Sequence, residues 1–167
     1  MLIAQVLPAS LHDNDLLDAA ISLPADDLLG TRLASRAWVA RKHGQATGLV
    51  LEAIAPDGYS GDIALLIGVN ADSRITGVRV TAHKETPGLG DYIDIAKSRW
   101  ITQFDGKSLT DPTDPGWKVQ RDGGRFDARA GATITPRAVV KAVNGALHYV
   151  ARHRAELLAA PPAVPRI

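Results

Sequence analysis

The stretch of this chain best suited to holding a ligand is Asp127-Ala128-Arg129-Ala130-Gly131-Ala132-Thr133-Ile134-Thr135-Pro136. It sets small residues and two hydroxyls directly before a segment with strong helix signals. A helix N-terminus offers free backbone N–H groups and positive potential, which together suit a phosphate. Gly131 and Ala132 leave room for close approach to the backbone. The same residues also read as a plain loop with an N-cap at Thr135, the commoner use of such a pattern. On residue types alone both readings stand.

Other chemistries find less support. The five histidines are His12, His43, His83, His148 and His153, and the nearest two are five apart, on different faces of a helix. That spacing is not the His-x-x-x-His of a helical zinc site. There is no Gly-x-Ser-x-Gly, and the aspartates are scattered. Gly88-Leu89-Gly90 lacks the third glycine and the βα context of a dinucleotide fingerprint, so alone it is a turn. With no cysteine, disulfides, thiolate nucleophiles and iron–sulfur clusters are excluded.

The elements that must position these residues belong to a chain of 167 residues, the length of one domain. Hydrophobic residues make up 46%, enough for a real core. Aromatics are only 5%, which argues against a stacking platform for nucleic acid. The net charge of +1 gives no electrostatic reason to bind nucleic acid or an anionic bilayer. The basic run Arg152-His153-Arg154 reads as a solvated helix end. No apolar run reaches the ~18 residues of a membrane span. The start, Met1 to Pro8, lacks a basic region and a long enough apolar stretch for a signal peptide, so either a cytosolic protein or a removed leading segment fits.

Leu11, Leu16, Leu17 and Ile21 suggest a short helix over 11–21. Strands are expected at Trp38–Arg41 and Leu49–Ile54, with a turn at His43-Gly44. Alternation at Ile63, Leu65, Ile67 and Val69, then Ile75, Val78 and Val80, predicts two more. These make an antiparallel meander of about four strands. Tyr92–Phe104 has helical spacing at Ile93, Ala96, Trp100, Ile101 and Phe104. The segment 107–126 is loop-rich, with only Trp117-Lys118-Val119 resembling a strand. The clearest helix runs from Pro136 to about Arg154, with Val139, Val140, Val143, Leu147 and Val150 as its apolar stripe. Pro136 suits its first turn. The tail from Ala159 to Pro165 reads as an unpacked end. Strands and helices without βαβ alternation predict an α+β fold, an antiparallel sheet with helices packed on it.

Asp127-x-x-Ala130-Gly131-Ala132-Thr133 resembles the Asp-x-x-(Ser/Thr)-Gly-Ala-Thr motif of covalent flavoproteins. The likeness continues in Ala55-Pro56-Asp57-Gly58-Tyr59-Ser60-Gly61, in Glu85-Thr86-Pro87-Gly88-Leu89-Gly90-Asp91, in Lys97-Ser98-x-Trp100-Ile101 and in Gly131 to Val140. In order and spacing these resemble the G subunit of the Rnf (Rsx) ion-translocating electron-transport complex, from about Val6 to Tyr149. The C subunit of the sodium-pumping NADH:quinone reductase is similar at greater distance. Ala130 departs from the motif, where Ser or Thr is usual.

The resemblance implies a periplasmic FMN-binding domain behind an N-terminal anchor in the inner membrane. It divides this chain into 1–30, a helix and connection following a missing anchor; 31–156, the FMN-binding domain; and 157–167, a tail. It implies FMN joined through its phosphate to Thr133 by a flavin transferase, with Asp127, Gly131, Ala132 and Thr135 in the same site. It sets Glu85, Thr86, Gly88 and Leu89 against the flavin ring, and Tyr59 beside it. Thr86 is the candidate hydrogen-bond partner of the ring and Leu89 its cover. No residue is assigned a catalytic or metal-binding role. The partners implied are the other membrane subunits of the Rnf complex and the transferase, with no nucleic acid. The function implied is electron transfer within an ion-translocating oxidoreductase, not stand-alone catalysis. The rivals are a stand-alone FMN-dependent reductase, which needs a second substrate site that the sequence does not display, and a flavin-free periplasmic binding or scaffold domain.

Overall fold

Alternating apolar residues dominate the middle of the chain, and in the computed structural model they build one antiparallel sheet. The structure describes residues 2–129 and 132–159. Five strands follow one another in space as in sequence: β1 (Ala20–Leu23), β2 (Ser35–Lys42), β3 (Gln45–Gly58), β4 (Gly61–Asn70) and β5 (Ile75–Ala82). The β2–β3 hairpin turns through His43 and Gly44, both at positive φ, as a two-residue hairpin requires. Pairing sets Leu51 opposite Ile67, Ala53 opposite Leu65 and Ala55 opposite Ile63. All six are buried and share one face, because side chains alternate along a strand.

That face is covered by the long helix α2 (Ile134–Ala159), and Val139, Val140, Val143, Leu147 and Val150 are all buried in the same core. The fold is therefore α+β, as the pattern predicts. The opposite face carries a smaller core of Trp38, Ala40, Val50 and Leu66, under the short helix α1 (Leu2–Val6) and Leu7. Gly68 and Gly77 face each other across β4 and β5 where α1 crosses them. A Cβ on Gly68 would stand 2.2 Å from the Val6 carbonyl oxygen, so this notch admits only glycine. Arg154, far along α2, donates to Ser73 Oγ at 2.6 Å and so ties the helix to the β4–β5 turn.

Several expectations need correction. The span 11–21 is not a helix. It holds short 3₁₀ turns at Ala9–Leu11 and Leu16–Ala19, then enters β1, the fifth strand. Asp15 caps the second turn by accepting from Leu17 N–H, and Asn14 bonds β2 at Val39 O and Arg41 N–H. These polar bonds fix a path that apolar spacing does not reveal. Tyr92–Phe104 is likewise two 3₁₀ turns, Asp91–Ile93 and Trp100–Phe104, and not one helix. Ile93, Trp100, Ile101 and Phe104 are buried as expected, but Ala96 is exposed; Asp94 and Ser98 break the helix between the turns by accepting from Ala96 and Trp100 N–H. Trp117–Val119 forms no strand, only a single bridge from Val119 to Phe126. Helix α2 begins at Ile134, so Thr135 lies in its first turn and not at its cap. It continues to Ala159, and the rest of the expected tail is outside the described residues.

Candidate functional site

Three connections meet here: the β3–β4 turn at Tyr59 and Ser60, the turn Glu85–Gly90 after β5, and residues 132–135, which open α2. One carboxylate joins all three. Glu85 Oε1 accepts from Tyr59 N–H at 3.0 Å and from the Thr135 hydroxyl at 2.5 Å, and Oε2 accepts from Ser60 N–H at 2.8 Å. Glu85 is only 4% exposed. Burial pushes its pKa up, but the bonds from Thr135, Ser60 and Tyr59 together outweigh that and hold it below the ordinary glutamate value. The anion also lies at the positive end of α2. The next residues turn through Gly88 at φ +80, a conformation glycine adopts without strain. Gly88 N–H donates to Asp91 Oδ1 at 2.9 Å, which fixes the turn.

Between the three connections lies a cavity of about 240 Å³. Tyr59, Glu85, Thr86, Leu89, Ala132, Thr133 and Thr135 line it, together with Gly90 and Ile134. A second hollow of about 400 Å³ adjoins it, lined by Gly88, Asp91, Tyr92, Lys97 and Arg129. Leu89 and Ala132 border both. The first is mostly apolar; the second carries two cationic side chains. The first is also rimmed by Tyr59, Leu89 and Ile134, exposed by 71%, 59% and 46%. These are half of the six exposed large apolar side chains among the described residues. Exposed apolar groups gathered at one cleft mark a binding site more than a solvated surface.

The residues of the Asp127–Thr135 motif are placed unequally. Thr133 is half-buried, and its carbonyl accepts from Arg137 N–H at 3.1 Å in the first turn of α2. Thr135 is 2% exposed, with its hydroxyl committed to Glu85. Asp127 borders neither cavity; its side chain is exposed while Trp100 Nε1–H donates to its carbonyl at 2.7 Å. Gly131 lies outside the described residues. Of the residues that sequence reasoning passed over, Ile134 was hidden by standing between the two notable threonines. Tyr92, Lys97 and Arg129 were hidden by falling in the segment read as a helix and in the motif's variable positions.

These features suit a molecule with a flat apolar part and an anionic part. The apolar cavity matches the first, and the helix N-terminus with Lys97 and Arg129 nearby matches the second. A separate hollow of about 400 Å³ on the other sheet face, lined by Arg32, Leu33, Glu52, Ile54 and Asp62 among others, contains none of the expected site residues. Among the described residues no group of three or more His, Asp or Glu could hold a metal ion, and no helix is long and apolar enough to cross a membrane.

Residues 58–148 match the FMN-binding domain family, a span that contains all three connections. The chain is 57% identical over 155 residues to the G subunit of an ion-translocating oxidoreductase complex from Pseudomonas aeruginosa, covering 93% of this chain and 72% of that relative. It is 50% identical over 157 residues to the G subunit of such a complex from Aliivibrio fischeri, covering 94% and 75%. For the Vibrio cholerae G subunit the figures are 49% over 153 residues, 92% and 73%.

Proposed function

This chain belongs to the FMN-binding domain family and to the family of G subunits of ion-translocating oxidoreductase complexes, and on that premise we propose that Thr133 is where its FMN is attached. The protein is an FMN-carrying electron-transfer subunit of a membrane-associated, multi-subunit Rnf complex, and its partners are the other subunits. The flavin supplies the electron chemistry; the protein supplies attachment, orientation and tuning.

The observation that carries the assignment is the convergence of the three connections on one apolar cavity bordered by Thr133. In the proposed modification a flavin transferase uses FAD. The Thr133 hydroxyl oxygen forms a bond to the FMN-side phosphorus, the pyrophosphate bond breaks, and AMP leaves with the bridging oxygen while the hydroxyl proton is released. Thr133 is a substrate residue in that step, not a catalyst. Thr86 and Leu89 face the ring, Ala132 lets the tether lie close to the backbone, and Gly88 shapes the turn. Glu85 serves the site through the protein: both its oxygens already accept protein hydrogen bonds, so it holds the Tyr59 turn and Thr135 in place. The domain works on the periplasmic face of the inner membrane, where a covalent tether prevents loss of the flavin by diffusion.

The test is co-production with a flavin transferase where FAD is present. Wild type stays yellow after denaturation and gel filtration, and Thr133→Ala is colourless. Covalent flavin on that variant would remove the assignment.

A further inference from the structure

Side chains of residues 91–104 bond the segment around Asp127, Arg129 and Ala132 at several points, all but one of them to its backbone. Trp100 Nε1–H donates to Asp127 O at 2.7 Å, and Gln103 Oε1 accepts from Asp127 N–H at 2.8 Å. Arg129 Nη2 donates to Ser98 Oγ at 2.8 Å. Tyr92 does the most with one atom. Its hydroxyl donates to Ala132 O at 2.8 Å and accepts from Arg129 N–H at 3.2 Å. Ala132 N–H donates in turn to Arg129 O at 3.2 Å.

We propose that Tyr92 is a positioning residue for flavin attachment, its hydroxyl bracketing the backbone immediately ahead of Thr133 and presenting that threonine to the transferase. The inference rests on the reading of Thr133 as the flavin acceptor. A tyrosine kept only for packing would do as well as phenylalanine. Here the ring is 2% exposed and packs edge-on against Trp100 at 5.7 Å, so the hydroxyl is held at one point. The Arg129 guanidinium lies over the same ring, 4.8 Å from its centre. Burial also raises the tyrosine's pKa, against the opposing effect of Arg129, so the hydroxyl keeps the proton it donates. Among the described residues, neither backbone group it binds has a ladder or helix partner to replace it. Without the hydroxyl, the loop samples conformations in which Thr133 is misdirected. Only the competent fraction then binds productively, and the apparent affinity falls by that fraction.

The experiment uses the apo chain as substrate for a purified transferase at saturating FAD, with adduct followed by intact mass. Tyr92→Phe keeps the ring and its edge-on contact with Trp100 and removes both bonds. We expect KM for the protein substrate to rise about tenfold with kcat within about twofold. The Arg129 amide should exchange hydrogen faster, while amides of α2 from Val139 to Val150 keep wild-type protection. An unchanged KM overturns the proposal. Should Tyr92→Phe fail to fold, Gln103→Leu loosens the same clamp at Asp127, with an expected KM increase of about threefold; an unchanged KM there overturns it equally. Thr133→Ala, run in parallel, separates the two ideas. Adduct on that variant defeats the acceptor assignment, whereas the Tyr92→Phe comparison with wild type judges the clamp.

Discussion

The sheet and the site are built by different means. In the sheet the main chain satisfies itself through strand ladders, and side chains are free to be apolar: Leu51, Ile67 and Val143 are all fully buried. Around the site the main chain is held by side chains. Glu85 takes up two N–H groups of the Tyr59 turn, Tyr92 brackets the acceptor loop, and Gln103 and Trp100 hold Asp127. The first arrangement tolerates exchange of one apolar residue for another of similar volume. The second depends on single polar atoms, because each buried group that loses its partner bears its full desolvation cost. Stability and function should therefore respond to different substitutions.

The largest effect belongs to the sheet side. Val143→Asp would set an unpaired charge in the core between α2 and the sheet, costing about 4 kcal/mol or more. Apo protein should show a melting temperature roughly 10 °C lower or no cooperative transition. Wild-type apo protein should unfold cooperatively, since none of this core involves the flavin; absence of that transition would break the distinction between the regions.

Next is the polar junction. Glu85→Ala leaves the Tyr59 and Ser60 N–H groups and the Thr135 hydroxyl without their acceptor, for an expected loss of about 2–3 kcal/mol. The carboxylate also gives a pH dependence of known sign. Its folded pKa lies below the unfolded value of about 4.3, so its contribution is complete above that value and is lost as pH falls through the folded pKa. Wild type should lose more stability than Glu85→Gln on acidification below about pH 4, measured by denaturant melts.

Gly88→Val is expected to have the smallest effect on stability, about 1–2 kcal/mol, from forcing a β-branched residue to φ +80. Among the described residues nothing lies within 4 Å of its added Cβ, so the strain is confined to the turn. On modified protein at equal flavin content it should shift the flavin absorbance band or midpoint potential while the mass adduct remains. Identical spectra and potentials would place the turn away from the ring.

The two regions also differed in how far they could be read from sequence. Alternation along β2 to β5 and the valine stripe of α2 were legible because ladder and helix impose fixed periods on what is buried. Strand β1 was not, since it is four residues long and only Leu23 is buried. Residues 92–104 misled because a 3₁₀ turn and an α-helix put apolar residues at nearly the same short spacing. Ile93, Trp100, Ile101 and Phe104 are buried in either case. The site's motifs were visible as a family resemblance, but the bonds joining them were not. Glu85 and Thr135 are fifty residues apart in the chain, and no local pattern announces that they meet.

The central claim is that flavin is carried on Thr133, and the most direct measurement is the mass and fragmentation of the tryptic peptide Ala130–Arg137 from chain modified by a flavin transferase. This peptide contains two threonines, and the structure treats them differently: Thr133 borders the cavity half-exposed, while the Thr135 hydroxyl is buried against Glu85. The expected peptide is heavier by FMN less one water, with fragment ions placing the addition on Thr133. Flavin on Thr135, or an adduct found only in another peptide, would contradict it.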